Sequence, residues 1–339
     1  MRIYNIPIFV PHRGCPHDCV FCNQKRITGA SSGVTEADVK NAIEECLKTI
    51  KKTDRYVEVA FFGGSFTGIP IEEQTELLQA AYEYVKSGRV DGIRLSTRPD
   101  YITEEILDNL LKYGVTTIEL GVQSMDDEVL LKSNRGHTKE DVIKAVELIR
   151  RYPFTLGLQM MTGLPGDTDE KSIQTANEII ALKPDIVRIY PTLTIKDTRL
   201  EEMLKAGEYT PQRLDEAVDL CARLVTMFKK HNITVIRVGL QSTHEISEGG
   251  ESVVAGPLHS AFGELVESKI YLDIILDALK SVESKRAKVY VNQKEISKAT
   301  GNKKTNIAKI KELTGIDIKI YADDTLHKRE VKAVAVKTT

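Results

Sequence analysis

Residues 92–122 read GIRLSTRPDYITEEILDNLLKYGVTTIELGV. An apolar, β-branched run (Gly92–Thr97) is followed by a stretch whose apolar residues recur at helical spacing (Glu104–Lys112). A second strand-like run follows (Thr116–Val122). Thr103 stands where an N-cap belongs, ahead of an acidic first turn. Two strands joined by a helix make the crossover that parallel pairing requires. The same alternation runs outward in both directions. Further strands are expected at Ile3–Val10, Tyr56–Phe62, Thr155–Met161 and Ile186–Tyr190, and a late one at Thr234–Leu240. Helices are expected at Glu36–Lys52, Glu72–Ser87, Lys139–Arg151, Glu170–Leu182 and Pro211–Lys230, with Thr35 and Thr138 as further N-caps. About six such units predict an α/β fold: a partial (β/α)6 TIM-like barrel rather than a closed eight-unit one.

Composition suits a soluble globular chain. Of 339 residues, 41% are hydrophobic and 28% charged. No apolar run is long enough to cross a bilayer, and the N-terminus does not read as a signal peptide. Five cysteines, an odd number, argue against a secreted disulfide framework and for the cytoplasm. Charge is unevenly spread. From Lys285 to Thr339 there are 14 Lys and Arg against 6 Asp and Glu, whereas residues 1–284 carry 33 against 43. We therefore expect two domains, the barrel over 1–284 and a small basic α+β domain over 285–339.

Three of the five cysteines fall within eight residues, in RGCPHDCVFCNQ (Arg13–Gln24). Three readings are open, the first a redox pair of cysteines with a bystander. A zinc site would recruit His12 or His17 as a fourth ligand. A three-thiolate iron–sulfur cluster would use Cys15, Cys19 and Cys22 and leave one iron open. The cluster follows the first strand. In barrels of this kind the loops after the strands form the active face. The other unusual segments lie on that face as well: FFGGSFTGIP (Phe61–Pro70), STRPD (Ser96–Asp100), ELGVQS (Glu119–Ser124), MTGLPGDT (Met161–Thr168) and YPT (Tyr190–Thr192). Cys46 and Cys221 sit among apolar residues of helical stretches and read as buried structural thiols. The glycine-rich segment Gly239–Gly263 reads equally as a lid or as a surface loop.

The spacing Cys15-x3-Cys19-x2-Cys22, with the aromatic Phe21, resembles the signature of the radical S-adenosylmethionine (SAM) superfamily. The stretch from Ser96 to Thr138, with GLPGDT and RIYPTLTIKDTRLEEMLKAGEYTP (Arg188–Pro211), resembles the radical SAM domain of the Elongator catalytic subunit family. That family modifies wobble uridine in tRNA. Two differences stand out. The eukaryotic subunit has a longer gap between its first two cluster cysteines. The family also carries a C-terminal acetyltransferase domain, which the 55 residues from Lys285 onward are too few to form.

The resemblance implies cofactors and partners. Cys15, Cys19 and Cys22 would hold a 4Fe–4S cluster whose open iron binds SAM. SAM would be cleaved to a 5′-deoxyadenosyl radical, with the electron coming from a donor such as a ferredoxin or flavodoxin. The substrate would be RNA, in particular tRNA. Cofactor-binding candidates are Phe21 beside the adenine, Gly63 and Gly64 for close backbone approach, and Ser65, Arg98, Glu119 and Gln123. Glu119 and Gln123 would share one face of their strand. Alternatives stay open for several of these. Glu119 would also serve as a buried partner of a barrel arginine, and Arg98 as a tie for its loop. Tyr190 and His137 are the catalytic candidates; Tyr190 reads equally as packing, and His137 as the residue before a helix cap. The chain would otherwise act on a small molecule or protein, or bind RNA without catalysis.

Residues 288–323 read as strand, helix, turn, helix, strand, and resemble a KH-type RNA-binding module. Gly301, Lys303 and Lys304 are the candidate nucleic-acid contacts. Lys304 replaces the second glycine of the GXXG loop, and its charge would engage phosphate instead. The other reading is a small appendage for dimerisation or stability.

Overall fold

A computed structural model describes residues 2–10, 19–23, 33–51, 53–240, 250 and 252–336. The chain divides into two compact units, Met1–Gln212 with Phe228–Leu258, and Arg213–Met227 with His259–Thr339.

The first unit is built on a parallel sheet. Its strands are β1 (Arg2–Val10), β2 (Arg55–Gly63), β3 (Gly92–Thr97), β4 (Val115–Gln123), β5 (Thr155–Thr162) and β6 (Ile186–Pro191). The short β7 (Thr194–Ile195) stands outside it, and β8 (Thr234–Val238) returns to pair with β6. The sheet order is β1-β2-β3-β4-β5-β6-β8, so β1 and β8 are its edges and the barrel is open. β7 pairs antiparallel with β9 (Val253–Ala255), inside the segment expected to be a loop. Residues 241–249 and 251 of that segment, His244 among them, lie outside the described residues.

Strands covered by helices carry apolar residues in near-continuous runs. In β2, Val57, Val59, Ala60 and Phe61 are all fully buried. The helix Glu104–Lys112 turns Leu107 and Leu110 inward. Thr35 and Thr138 each close a capping box, with Asp38 and Asp141, and Thr103 accepts from Ile106 N. Strand and helix bounds fall within a few residues of those expected.

The second unit has a sheet of three strands. Its centre is β10 (Arg286–Val291), parallel to β11 (Asp317–Ala322) and antiparallel to β12 (Val331–Ala335). Between β10 and β11 run the helices Ile296–Thr300 and Thr305–Thr314. This is the expected strand–helix–turn–helix–strand, with β12 added. The unit starts before the expected boundary at 285. The helix Phe262–Leu279 places Tyr271, Leu272, Ile275 and Leu279 in one core with Val289, Val291, Ile310 and Ile318. The Tyr271 hydroxyl donates to Glu295 (3.0 Å) and accepts from Arg329 N (2.9 Å), so the helix is held by hydrogen bonds as well as by burial. Among the described residues no helix is long and apolar enough to cross a membrane.

Candidate active site

All parallel strands of the first unit point their C-terminal ends to one rim. There the loops enclose a cavity of about 230 Å³. Cys19, Phe21 and Cys22 line it from the segment after β1, and Gly63, Gly64 and Ser65 from the end of β2. Further around the rim stand Thr97, Arg98, Gly121, Gln123, Arg135 and Tyr190. The apolar part of the wall comes from Met161, Leu193, Ile195 and Leu240.

The cysteine segment is anchored by its backbone. Val20 N donates to Ser133 O (3.1 Å) and Val20 O accepts from Leu200 N (2.7 Å). Cys22 N donates to Cys19 O at 2.9 Å, so the two thiols leave one turn on the same side of the cavity. Cys19 is only 5% exposed. Cys15, with His12 and His17, lies outside the described residues. Phe21 packs beside Val20, Leu200 and Tyr209.

The β2 turn needs its glycine. Gly63 has φ +106°, and a Cβ there would meet Val10 O at 2.7 Å. Gly64 N instead donates to that same carbonyl (3.0 Å). The Ser65 hydroxyl bonds Thr97 Oγ1 (2.8 Å) and accepts from Arg98 N (3.1 Å), which ties the loops after β2 and β3 together.

Four further candidates take these places. Glu119, 1% exposed, accepts from Arg94 Nη1 (2.9 Å) and Arg188 Nη2 (2.9 Å) at Oε1, and from Arg188 Nε and Gln159 Nε2 (3.1 Å) at Oε2. Four donors use all the lone pairs of a carboxylate. Glu119 is thus the buried partner of barrel arginines, in a network that continues from Arg94 to Glu58 (2.7 Å), and does not line the cavity. Nor do Glu119 and Gln123 share a face by simple alternation. The β4–β5 register shifts between Gly121 and Gln123, and Gln123 has φ +66°. Such a bulge re-aims a side chain, here into the cavity rim. Arg98 lines the cavity, yet its guanidinium forks onto Asp100 (2.9 and 2.8 Å) and donates to Arg135 O (2.7 Å), which makes it a strut for two loops. His137 is buried outside the lining, with Nε2 3.2 Å from Val122 O and Nδ1 without a hydrogen-bond partner. Burial, then the charges of Arg135 and Arg98, pushes its pKa down to about 3, so the ring is neutral at pH 7. Tyr190 does line the cavity; burial raises its phenol pKa, and it stays protonated.

Arg135 was missed, although it lies two residues before His137 in NRGHT. It is 7% exposed. Its Nη1 is 3.5 Å from Cys19 Sγ and its Nη2 donates to Gly121 O (2.8 Å), while Nε is buried without a partner. A Cβ on Gly121 would come within 2.8 Å of Nη2 and 2.9 Å of Gln123 Nε2, so the glycine makes room for both.

Residues 9–179 match the radical SAM superfamily, and residues 184–272 match the radical SAM C-terminal domain. The chain belongs to the radical SAM superfamily. It is similar to the tRNA uridine(34) acetyltransferase of Methanocaldococcus jannaschii, 30% identical over 256 residues, which span 64% of this chain and 47% of that protein. Human Elongator complex protein 3 is 30% identical over 262 residues, 64% of this chain and 48% of that one. The solved structure of Methanocaldococcus infernus Elp3 with a deleted N-terminus superposes with a TM-score of 0.62 at 27% identity, covering 79% of this chain and 62% of that one. The chain spans about half the length of these curated relatives.

Radical SAM enzymes use a 4Fe–4S cluster and SAM. The residues at the rim fit both. A buried guanidinium with no carboxylate bonded to it among the described residues is costly, and an anionic cluster sulfur at Cys19 would compensate Arg135. The buried Gln123 Oε1, also without a partner, offers an acceptor to an ammonium group. Together the two groups supply reductive cleavage of SAM and hydrogen abstraction. The protein residues shape the cavity, hold Arg135 through Arg98 and Asp100, and keep His137 uncharged.

Proposed function

We propose that this radical SAM enzyme modifies a base of RNA, with tRNA as the substrate class. The observation that carries the reading is the likeness to the tRNA uridine(34) acetyltransferase across 64% of the chain. The site is in keeping with it. The cavity has an apolar wall of Met161, Leu193, Ile195 and Leu240 with Tyr190 beside it, suited to a planar base. Cys15, Cys19 and Cys22 would hold the cluster. Phe21, Gly63, Gly64, Ser65 and Gln123 would seat SAM, with Arg98 and Arg135 behind them. Electrons would come from a ferredoxin or flavodoxin in the cytoplasm.

The turn in the second unit supports an RNA partner. Gly301, Lys303 and Lys304 have φ of +75°, +49° and +65°, so the backbone turns sharply between two helices and presents two lysines side by side. A Cβ on Gly301 would approach Thr305 Oγ1 at 2.6 Å. KH modules clamp a nucleic-acid backbone at such a loop.

The test is a comparison of tRNA nucleosides by mass spectrometry from cells with and without the gene. Loss of one modified nucleoside, restored by the wild-type gene but not by a Cys19→Ala gene, is expected. An unchanged nucleoside profile would leave a small molecule or protein as the substrate.

A further inference from the structure

The sheet of the second unit has two unlike faces. Ala287, Val289 and Val291 of β10 and Ile318 of β11 are buried in its core with Tyr271 and Ile310. Alternate residues of a strand point the other way. On that side Arg286, Lys288, Lys319, Tyr321 and Lys332 are exposed and Tyr290 is half-buried. Register gathers them. Tyr290 lies opposite Tyr321 on β11 and opposite Lys332 on β12, and Lys288 lies opposite Lys319. The two rings are 5.7 Å apart and tilted by 30°. Lys288 Nζ stands 5.7 Å from the centre of the Tyr321 ring, which is 39% exposed. One acidic residue shares the strands' exposed side, Asp317, and it is paired with Lys311 (2.8 Å).

Like charges directly opposite each other on neighbouring strands destabilise a sheet. This face nevertheless pairs Lys288 with Lys319 and keeps one aromatic ring exposed and a second half-buried among cations. That pattern suits a ligand with flat faces and regularly spaced negative charge. Unpaired nucleic acid has both: bases stack on aromatic rings, and phosphates meet the lysines. A paired duplex hides the faces of its bases and gains nothing from the rings.

We propose that this face is a stacking platform for an unpaired stretch of RNA, with one base on Tyr321, a neighbour on Tyr290, and phosphates along Lys288, Lys319, Lys332 and Arg286. It is distinct from the turn at Gly301–Lys304, which joins the two helices that pack on the sheet's other side. The inference rests on RNA being the substrate for its purpose, and its chemistry is tested separately.

The experiment is fluorescence anisotropy with the full-length protein, using a labelled short oligouridylate and an RNA duplex of equal length. The single strand should bind more tightly. Tyr321→Ala should weaken it about ten-fold, the scale of one lost base stack. Tyr321→Phe, which keeps the ring, should bind as wild type. Lys288→Glu should weaken binding and flatten its dependence on salt, because fewer counterions are released. Equal affinity of wild type and Tyr321→Ala, or equal binding of strand and duplex, would overturn the platform. An unchanged nucleoside profile in cells would instead sink the RNA-modification reading and leave this binding result in place.

Discussion

The Arg135 guanidinium lies 3.5 Å from the sulfur of Cys19, and its backbone carbonyl is gripped by Arg98. A cation placed there favours the reduced, more negative state of a cluster bound at that thiolate. Arg135→Leu should therefore lower the midpoint potential, by on the order of 60 mV or more, a tenfold change in a one-electron equilibrium. Arg135→Lys should recover part of it. Titration followed by electron paramagnetic resonance, with iron counted in each sample, reads this directly. Equal potentials at equal iron content would remove Arg135 from the cluster's surroundings.

Glu119 holds two arginines, and its removal leaves both short of a counter-charge in the barrel interior. Glu119→Ala should destabilise the apo-protein by about 3–5 kcal/mol, the cost of breaking a buried pair from one side. Urea unfolding measures it. A Glu119→Ala protein as stable as wild type, yet unable to bind SAM, would return Glu119 to the cofactor site.

His137 gives the fold a dependence on pH. Its folded pKa, about 3, lies below the unfolded value near 6.5, so the unfolded chain binds more protons across that window. The stabilisation is complete above pH 6.5 and is lost as pH falls toward 3. His137→Gln, which keeps a donor for Val122 O, removes the titrating ring. The stability difference between wild type and this variant should shift against wild type by roughly 1 kcal/mol per pH unit between pH 6 and 4. Parallel pH profiles would mean that the ring is not buried neutral.

At Gly63 the backbone conformation and the nearby Val10 carbonyl both exclude a side chain. Gly63→Ala should cost about 2 kcal/mol or more, from the positive φ and the close contact together. It should also lower SAM affinity, measured by equilibrium dialysis. Unaltered stability and affinity would show that the turn tolerates a Cβ.

The alternation of strands and helices was legible because each signal is local. β2 runs apolar from Val57 to Phe62 but for Glu58, and Thr35, Thr103 and Thr138 mark helix starts within a few residues. The site was legible where glycine or cysteine stood in an unusual spacing. It was not where the decisive contact is distant. Arg94 and Arg188 reach Glu119 from 25 and 69 residues away. The bulge that re-aims Gln123 appears only in the pairing of β4 with β5. The helix Phe262–Leu279 joins the second unit through Tyr271, which binds Glu295 and Arg329 from β10 onward, so a charge count placed the boundary too late to include it.

Reductive cleavage of SAM in the presence of RNA tests the central claim most directly. Anaerobically reconstituted protein, reduced and given SAM, should release 5′-deoxyadenosine, and added tRNA should increase the yield. Cys19→Ala should release none. Undiminished release from Cys19→Ala, or a yield indifferent to tRNA at every concentration, would contradict a radical SAM site that acts on RNA.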